Sequence, residues 1–155
     1  MLLMLVSTSI AQQTFRLIPP DKSFGITFPG EPRHEHTASI HSEADSYSYA
    51  NSGTRFVLTF FKVTPVPKGV NANETLRASI DGTVENARGK LITEEPLTVD
   101  GRPARKVRIS MGQQTVVDGP FVYENASVYQ LLVMHRNGEE PSFEQQFFDS
   151  FTLAK

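Results

Sequence analysis
The chain contains no cysteine. That absence excludes a thiol nucleophile, a disulfide framework, a cysteine zinc site and a cysteine-held iron–sulfur cluster. Nor does charge of one sign dominate: 15 Lys and Arg stand against 17 Asp and Glu, for a net charge of −2. Without a global basic field, nucleic acid is not an expected partner. No apolar run reaches the roughly 20 residues that a spanning helix needs, so no transmembrane span is expected. There is no internal repeat, no low-complexity run and no Ser/Gly-rich linker; the 10 Gly and 10 Pro are scattered as punctuation. Several catalytic signatures are also missing: the G-x-S-x-G elbow, the P-loop, G-x-G-x-x-G and H-E-x-x-H.

What remains is an ordinary globular chain. It has 155 residues, 39% of them hydrophobic and 21% charged. That length suits one domain. It can bury roughly two-thirds of the unfolded surface, so it folds without a disulfide or a metal.

Residues 1–11 read as a cleaved signal peptide. Met1 to Val6 is wholly apolar. Ser9 and Ala11 place small residues where a signal peptidase reads, ahead of Gln12. No Lys or Arg precedes the apolar run. The alternative for this stretch is a buried strand or helix. The signal reading implies an exported protein, periplasmic or extracellular, with residues 12–155 as a single α+β domain stabilised by packing alone.

Strand patterns recur after it. Phe24–Phe28 alternates and stops at Pro29-Gly30. Arg33–Ile40, Tyr47–Tyr49 and the aromatic-rich Arg55–Val63 follow. Further strands are expected over Lys90–Val99, Ala104–Met111, Thr115–Val117, Phe121–Glu124 and Val128–Met134. Asp100-Gly101 and Asp118-Gly119-Pro120 read as breaks. Two helices interrupt this pattern. Asn71 can cap the first, with Glu74 three residues on. Leu76, Ile80, Val84 and Ala87 form its apolar stripe, and Gly89 stands at its C-terminal cap. In the second, Ser142 and Gln145 form a capping box, and Phe143, Phe147, Phe148 and Phe151 share a face that packs into the core. Short turns demand antiparallel neighbours, and striped helices must cover sheet faces. The expected fold is therefore α+β: a twisted antiparallel sheet of about six or seven strands covered by two helices in an αβα-type sandwich.

Four segments carry a family resemblance. They are Phe24-Gly25-Ile26-Thr27-Phe28-Pro29-Gly30-Glu31-Pro32, Val99-Asp100-Gly101-Arg102-Pro103-Ala104, Val128-Tyr129-Gln130-Leu131-Leu132-Val133 and Phe147-Phe148-Asp149-Ser150-Phe151-Thr152-Leu153. Together they resemble the PsbP-like superfamily. It includes the extrinsic P protein of the photosynthetic oxygen-evolving complex, a Ran-binding nuclear import factor and exported bacterial domains of unknown role. The resemblance implies a binding or scaffold module rather than an enzyme. No metal or partner contact of that superfamily can be placed on a matching residue here.

Three constellations could carry chemistry. His34 and His36, two apart on a strand, share a face and can bind zinc or copper, with His41 or Glu43 as a third ligand across a turn. The bland reading is a solvent-facing edge strand. Arg102, Lys106 and Arg108 form a basic stripe that can contact anionic lipid head groups, polysaccharide or an acidic partner, while Arg105 falls on the other face with Val107, Ile109 and Met111. The bland reading is a solvated sheet face protected from aggregation. The carboxylates Glu94, Glu95, Asp100, Glu139 and Glu140 sit beside turns, where solvated acids are common. The functional expectation is an exported, non-catalytic module of the cell envelope with an unknown protein or envelope component as partner and no cofactor. The alternative is a metal-binding protein or metal-dependent hydrolase built on His34, His36 and His41.

Overall fold
The computed structural model describes residues 13–63 and 68–155. The expected signal peptide lies outside the described residues. Ten strands and two helices follow in the order β1 (Phe15–Leu17), β2 (Phe24–Phe28), β3 (Arg33–Ala38), β4 (Ser42–Asn51), β5 (Thr54–Val63), α1 (Ala72–Asn86), β6 (Lys90–Val99), β7 (Arg102–Met111), β8 (Thr115–Glu124), β9 (Ser127–Arg136), α2 (Glu144–Asp149) and β10 (Thr152–Leu153).

Seven of the strands form one antiparallel sheet, ordered β3-β4-β5-β9-β8-β7-β6. Its two faces differ. On one, α1 packs Leu76 and Ile80 against Val107, Ile109, Val117, Phe121 and Val128. On the other, Phe56, Leu58, Phe60, Tyr129, Leu131 and Val133 meet a second layer. That layer consists of α2 and a small sheet in which β2 pairs with both β1 and β10. Strand β9 lies mid-sheet and buries residues on both faces, which is why its sequence reads as a nearly continuous apolar run. Phe147 of α2 is fully buried and touches Phe28 and Phe56 edge-on, at centroid distances of 5.1 and 5.3 Å.

The α1 boundaries show how local chemistry sets an element. Asn71 has an extended backbone, and its side-chain oxygen accepts the Glu74 N–H at 2.9 Å. Replacing Asn71 by Ala should lower stability by about 1 kcal/mol. An unchanged urea midpoint would show that the cap contributes nothing. At the other end the left-handed residue is Arg88, not Gly89. The Arg88 N–H bonds Glu85 and the Gly89 N–H bonds Val84, which is the Schellman arrangement. Gly89 is required for another reason. A Cβ there would lie 2.8 Å from Ile109 Cγ2 and 2.8 Å from the Ser110 carbonyl oxygen.

Three further expectations need correction. Asp118-Gly119-Pro120 does not break the chain, because β8 runs through it and keeps its ladder to β7. Gly119 permits this: a Cβ at its φ of +152° would overlap the Leu131 carbonyl oxygen at 1.8 Å. Ser142 does not cap α2. Phe143 occupies the N-cap in a helical conformation with no side-chain cap bond, and the Glu144 N–H bonds the Pro141 carbonyl instead. Finally, β1 and β10 were not expected. At three and two residues they are too short to show alternation.

Candidate functional site
Strand alternation divides the basic residues of β7. Ala104 enters the aromatic core, and Arg102, Lys106 and Arg108 share its phase; Val107 and Ile109 enter the α1 side with Arg105. Most of these charges are matched within the fold. The Arg102 guanidinium forks onto Glu124. Arg108 donates from Nε and Nη2 to the two oxygens of Asp118, at 2.7 and 2.9 Å. Glu94 of β6 accepts from Arg105 at 2.8 Å and lies 3.2 Å from Arg77 of α1, tying helix to sheet. Lys106 is different: it has no ion-pair partner among the described residues. It lines a 260 Å³ cleft with Leu97, Val99, Asp100, Phe148 and Phe151. Two acids share this cleft, each accepting one bond from a neutral donor. Asp100 accepts the Leu153 N–H at 2.8 Å, and Asp149 accepts from Gln145 at 2.8 Å.

A second group is buried where β7, β8 and β9 meet α2. Asp118 of β8 receives the Arg108 fork, and Nε2 of His135 on β9 lies 2.8 Å from its Oδ2. The other ring nitrogen of His135 faces the Arg136 carbonyl at 2.9 Å. Glu144 opens α2 beside them, and one ligand atom from each of Asp118, His135 and Glu144 lies within 4.8 Å of the others. Burial opposes the Asp118 charge, yet the bonds from Arg108 and His135 outweigh it and hold the carboxyl below its usual range. Burial pushes Glu144 up, the Asp118 charge adds to this, and His135, Lys106 and Arg108 pull the other way. Glu144 Oε1 is buried without a hydrogen-bond partner among the described residues. An Asp-His-Glu set has donors for a divalent ion. Here, however, Arg108 holds both Asp118 oxygens, and each imidazole nitrogen already faces an acceptor. A ligating imidazole must present a bare nitrogen to the ion. The arrangement therefore serves as a polar pin that ties β7, β8 and β9 together, with the Glu144 carboxyl of α2 packed beside it.

The third group lies at the far edge of the sheet. His34 and His36 of β3 both reach Asp45 on β4, with Nε2 of His34 at 2.8 Å and Nδ1 of His36 at 2.9 Å from the same oxygen, Oδ1. His41 lies elsewhere, in the β3–β4 turn, three rungs of the hairpin beyond the His36–Asp45 pair and so about 10 Å away along the strands. Burial opposes the Asp45 charge, but the two imidazole bonds prevail and hold the carboxyl below its usual range.

Sequence reasoning found the histidine pair and the basic stripe but missed Asp118, His135 and Glu144. The signal was present: Asp118 stands in phase with Val116 and Val122, at positions that face inward.

No model of a known protein family matches the chain, and no curated protein matches it in sequence. Solved structures do match it in fold. The solution structure of cyanobacterial PsbP from Synechocystis sp. PCC 6803 superposes with a TM-score of 0.61 at 9% identity, covering 98% of this chain and 99% of that one. A protein of unknown function, PA94, from Pseudomonas aeruginosa reaches a TM-score of 0.52 at 13% identity, covering 81% of this chain and 99% of that one. The chain has a PsbP-like fold of the α+β class. Among the described residues no helix is long and apolar enough to cross a membrane.

Proposed function
We propose that the chain is a non-catalytic binding or scaffold module exported to the cell envelope, and that it docks a protein partner over the Lys106 cleft. One observation carries this reading. Of the stripe Arg102, Lys106 and Arg108, the fold pairs the two guanidiniums internally and leaves the Lys106 ammonium without an ion pair in a cleft walled by both apolar and polar side chains. A carboxylate borne on an apolar segment fits that chemistry, since it can pair with Lys106 while covering Leu97, Val99 and Phe148. Among the described residues Arg105, Arg108, Asp118 and His135 are bonded within their own clusters, and no serine or threonine is paired with a histidine, which supports a non-catalytic role.

The test is site-specific photo-crosslinking in the producing cells. A crosslinker at Thr98, on the cleft rim, should trap one protein species. Lys106→Glu should abolish that adduct, and a crosslinker at the exposed Glu85 of α1 should not yield it. An adduct unaffected by Lys106→Glu would exclude this cleft as the docking site. Fractionation and N-terminal sequencing of the same material check export, with Gln12 the expected first residue.

A further inference from the structure
We propose that strand β3 is a docking edge for a second copy of this chain. Two chains pair their β3 strands antiparallel about a two-fold axis at His34, which joins their seven-stranded sheets into one. This edge lies at the opposite end of the sheet from the Lys106 cleft and does not depend on the reading given to it.

The edge is open. All six residues of β3 are exposed, and β4 is its only strand partner among the described residues. The turn between them fixes which backbone groups point outward. The Ser39 N–H bonds the Ser42 carbonyl at 2.8 Å. Hydrogen-bonded pairs then recur at every second residue back along the hairpin, at Thr37–Ala44, Glu35–Ser46 and Arg33–Ser48. His34, His36 and Ala38 therefore aim their N–H and C=O groups away from β4. The histidine rings leave that edge clear, because both bond back onto Asp45 of β4.

The opposite edge of the sheet is guarded. Its strand, β6, contains Pro96. The β6–β7 turn has Asp100 and Gly101 at φ of 47° and 77°, a type I′ hairpin that makes Val99–Arg102 a hydrogen-bonded pair and turns position 96 outward. A proline there removes a donor from the outward row, which discourages strand addition. Strand β3 contains no proline.

Charge selects both the occupant and the register. Arg33 and Glu35 share the face of β3 away from Asp45 and lie 3.6 Å apart. A symmetric pair that bonds through the outward groups can centre on His34, Glu35 or His36. Centred on Glu35, it would set this carboxylate against its own copy. Centred on His36, it would leave Arg33 and Glu35 facing the uncharged Ser39 and Thr37. Centred on His34, it places each Arg33 opposite Glu35 of the second copy, at non-hydrogen-bonded positions where side chains approach most closely. The strand is thus complementary to itself. In this register His34 exchanges two backbone bonds with its own copy. The His36 N–H of each chain meets the Pro32 carbonyl of the other, a contact that asks no donor of proline.

The test is sedimentation equilibrium on the whole chain from about 10 μM to about 1 mM, the range suited to a small, transient interface. Wild-type protein should pass from monomer to dimer. Glu35→Arg sets like charges opposite each other in both pairs and should weaken the dimer about tenfold. Arg33→Glu should do the same. Combining the two substitutions in one chain restores the match in this register alone and should recover wild-type association. His34→Pro removes an outward donor but no backbone bond to β4, so it should abolish the dimer with an unaltered circular dichroism spectrum. A wild-type chain that stays monomeric at about 1 mM overturns the proposal. So does a dimer as strong in Glu35→Arg or His34→Pro as in wild type, or a doubly substituted chain that fails to recover association.

Discussion
Asp118→Asn is expected to destabilise the protein by about 3–5 kcal/mol, the usual result of removing one partner from a buried ionic group. The Asp118 side chain is 6% exposed and serves Arg108 and His135 at once. An amide offers one oxygen where two are used, and its NH₂ faces a donor. For a chain of this size the midpoint of thermal unfolding should fall by about 10 °C. A loss below about 1 kcal/mol would mean that water takes over both bonds. The pH dependence has a defined sign. Asp118 is held below its usual range, so its contribution is present above the unfolded pKa and is lost as pH falls through the folded one. Glu144 is raised, so its contribution is full below the unfolded pKa and declines as pH rises through the folded one. Asp118→Asn should shrink the acid limb of the stability profile, leaving the part that Asp45 contributes. Glu144→Gln should remove the decline on the other side and leave the acid limb in place. An acid limb unchanged in Asp118→Asn would assign that titration to other groups.

Phe147→Ala should cost about 3–5 kcal/mol. The ring is fully buried and lies where α2, β2 and β5 meet. Little can collapse into the space, because its neighbours Phe28 and Phe56 are themselves held on separate strands. Phe148→Ala, on the same short helix but only partly buried, should cost markedly less. Guanidinium titrations of the pair decide the matter. Equal losses would mean that α2 contributes through its turn rather than through the Phe147 ring.

How much could be read without coordinates differed by element. The phase of β7 was legible because alternation over ten residues is unambiguous. The Asn71 cap was legible because capping is local chemistry. The polar pin was not. Asp118 sits in a sequence that ordinarily turns, and its extended path depends on the approach of Leu131 on a neighbouring strand. Nothing local reports that approach. The histidine pair was visible as two rings on one face, but Asp45 was not, because its place opposite His36 depends on hairpin register. The division of strands between two sheets was hidden for the same reason.

That division has a consequence for the order of assembly. Strand β2 binds β10 across nearly the whole described chain, and Arg16 beside β2 reaches the Ser150 carbonyl at 2.6 Å. Such distant partners carry a large loop-closure penalty and meet late. The large sheet, by contrast, is stitched mostly by neighbours in sequence. Before β2 and β10 come together over it, Phe56, Leu58, Tyr129 and Leu131 on that sheet are bare to solvent. Until that second layer closes, the aromatic face is a surface that chaperones can hold, and the chain is open to recapture before it locks shut.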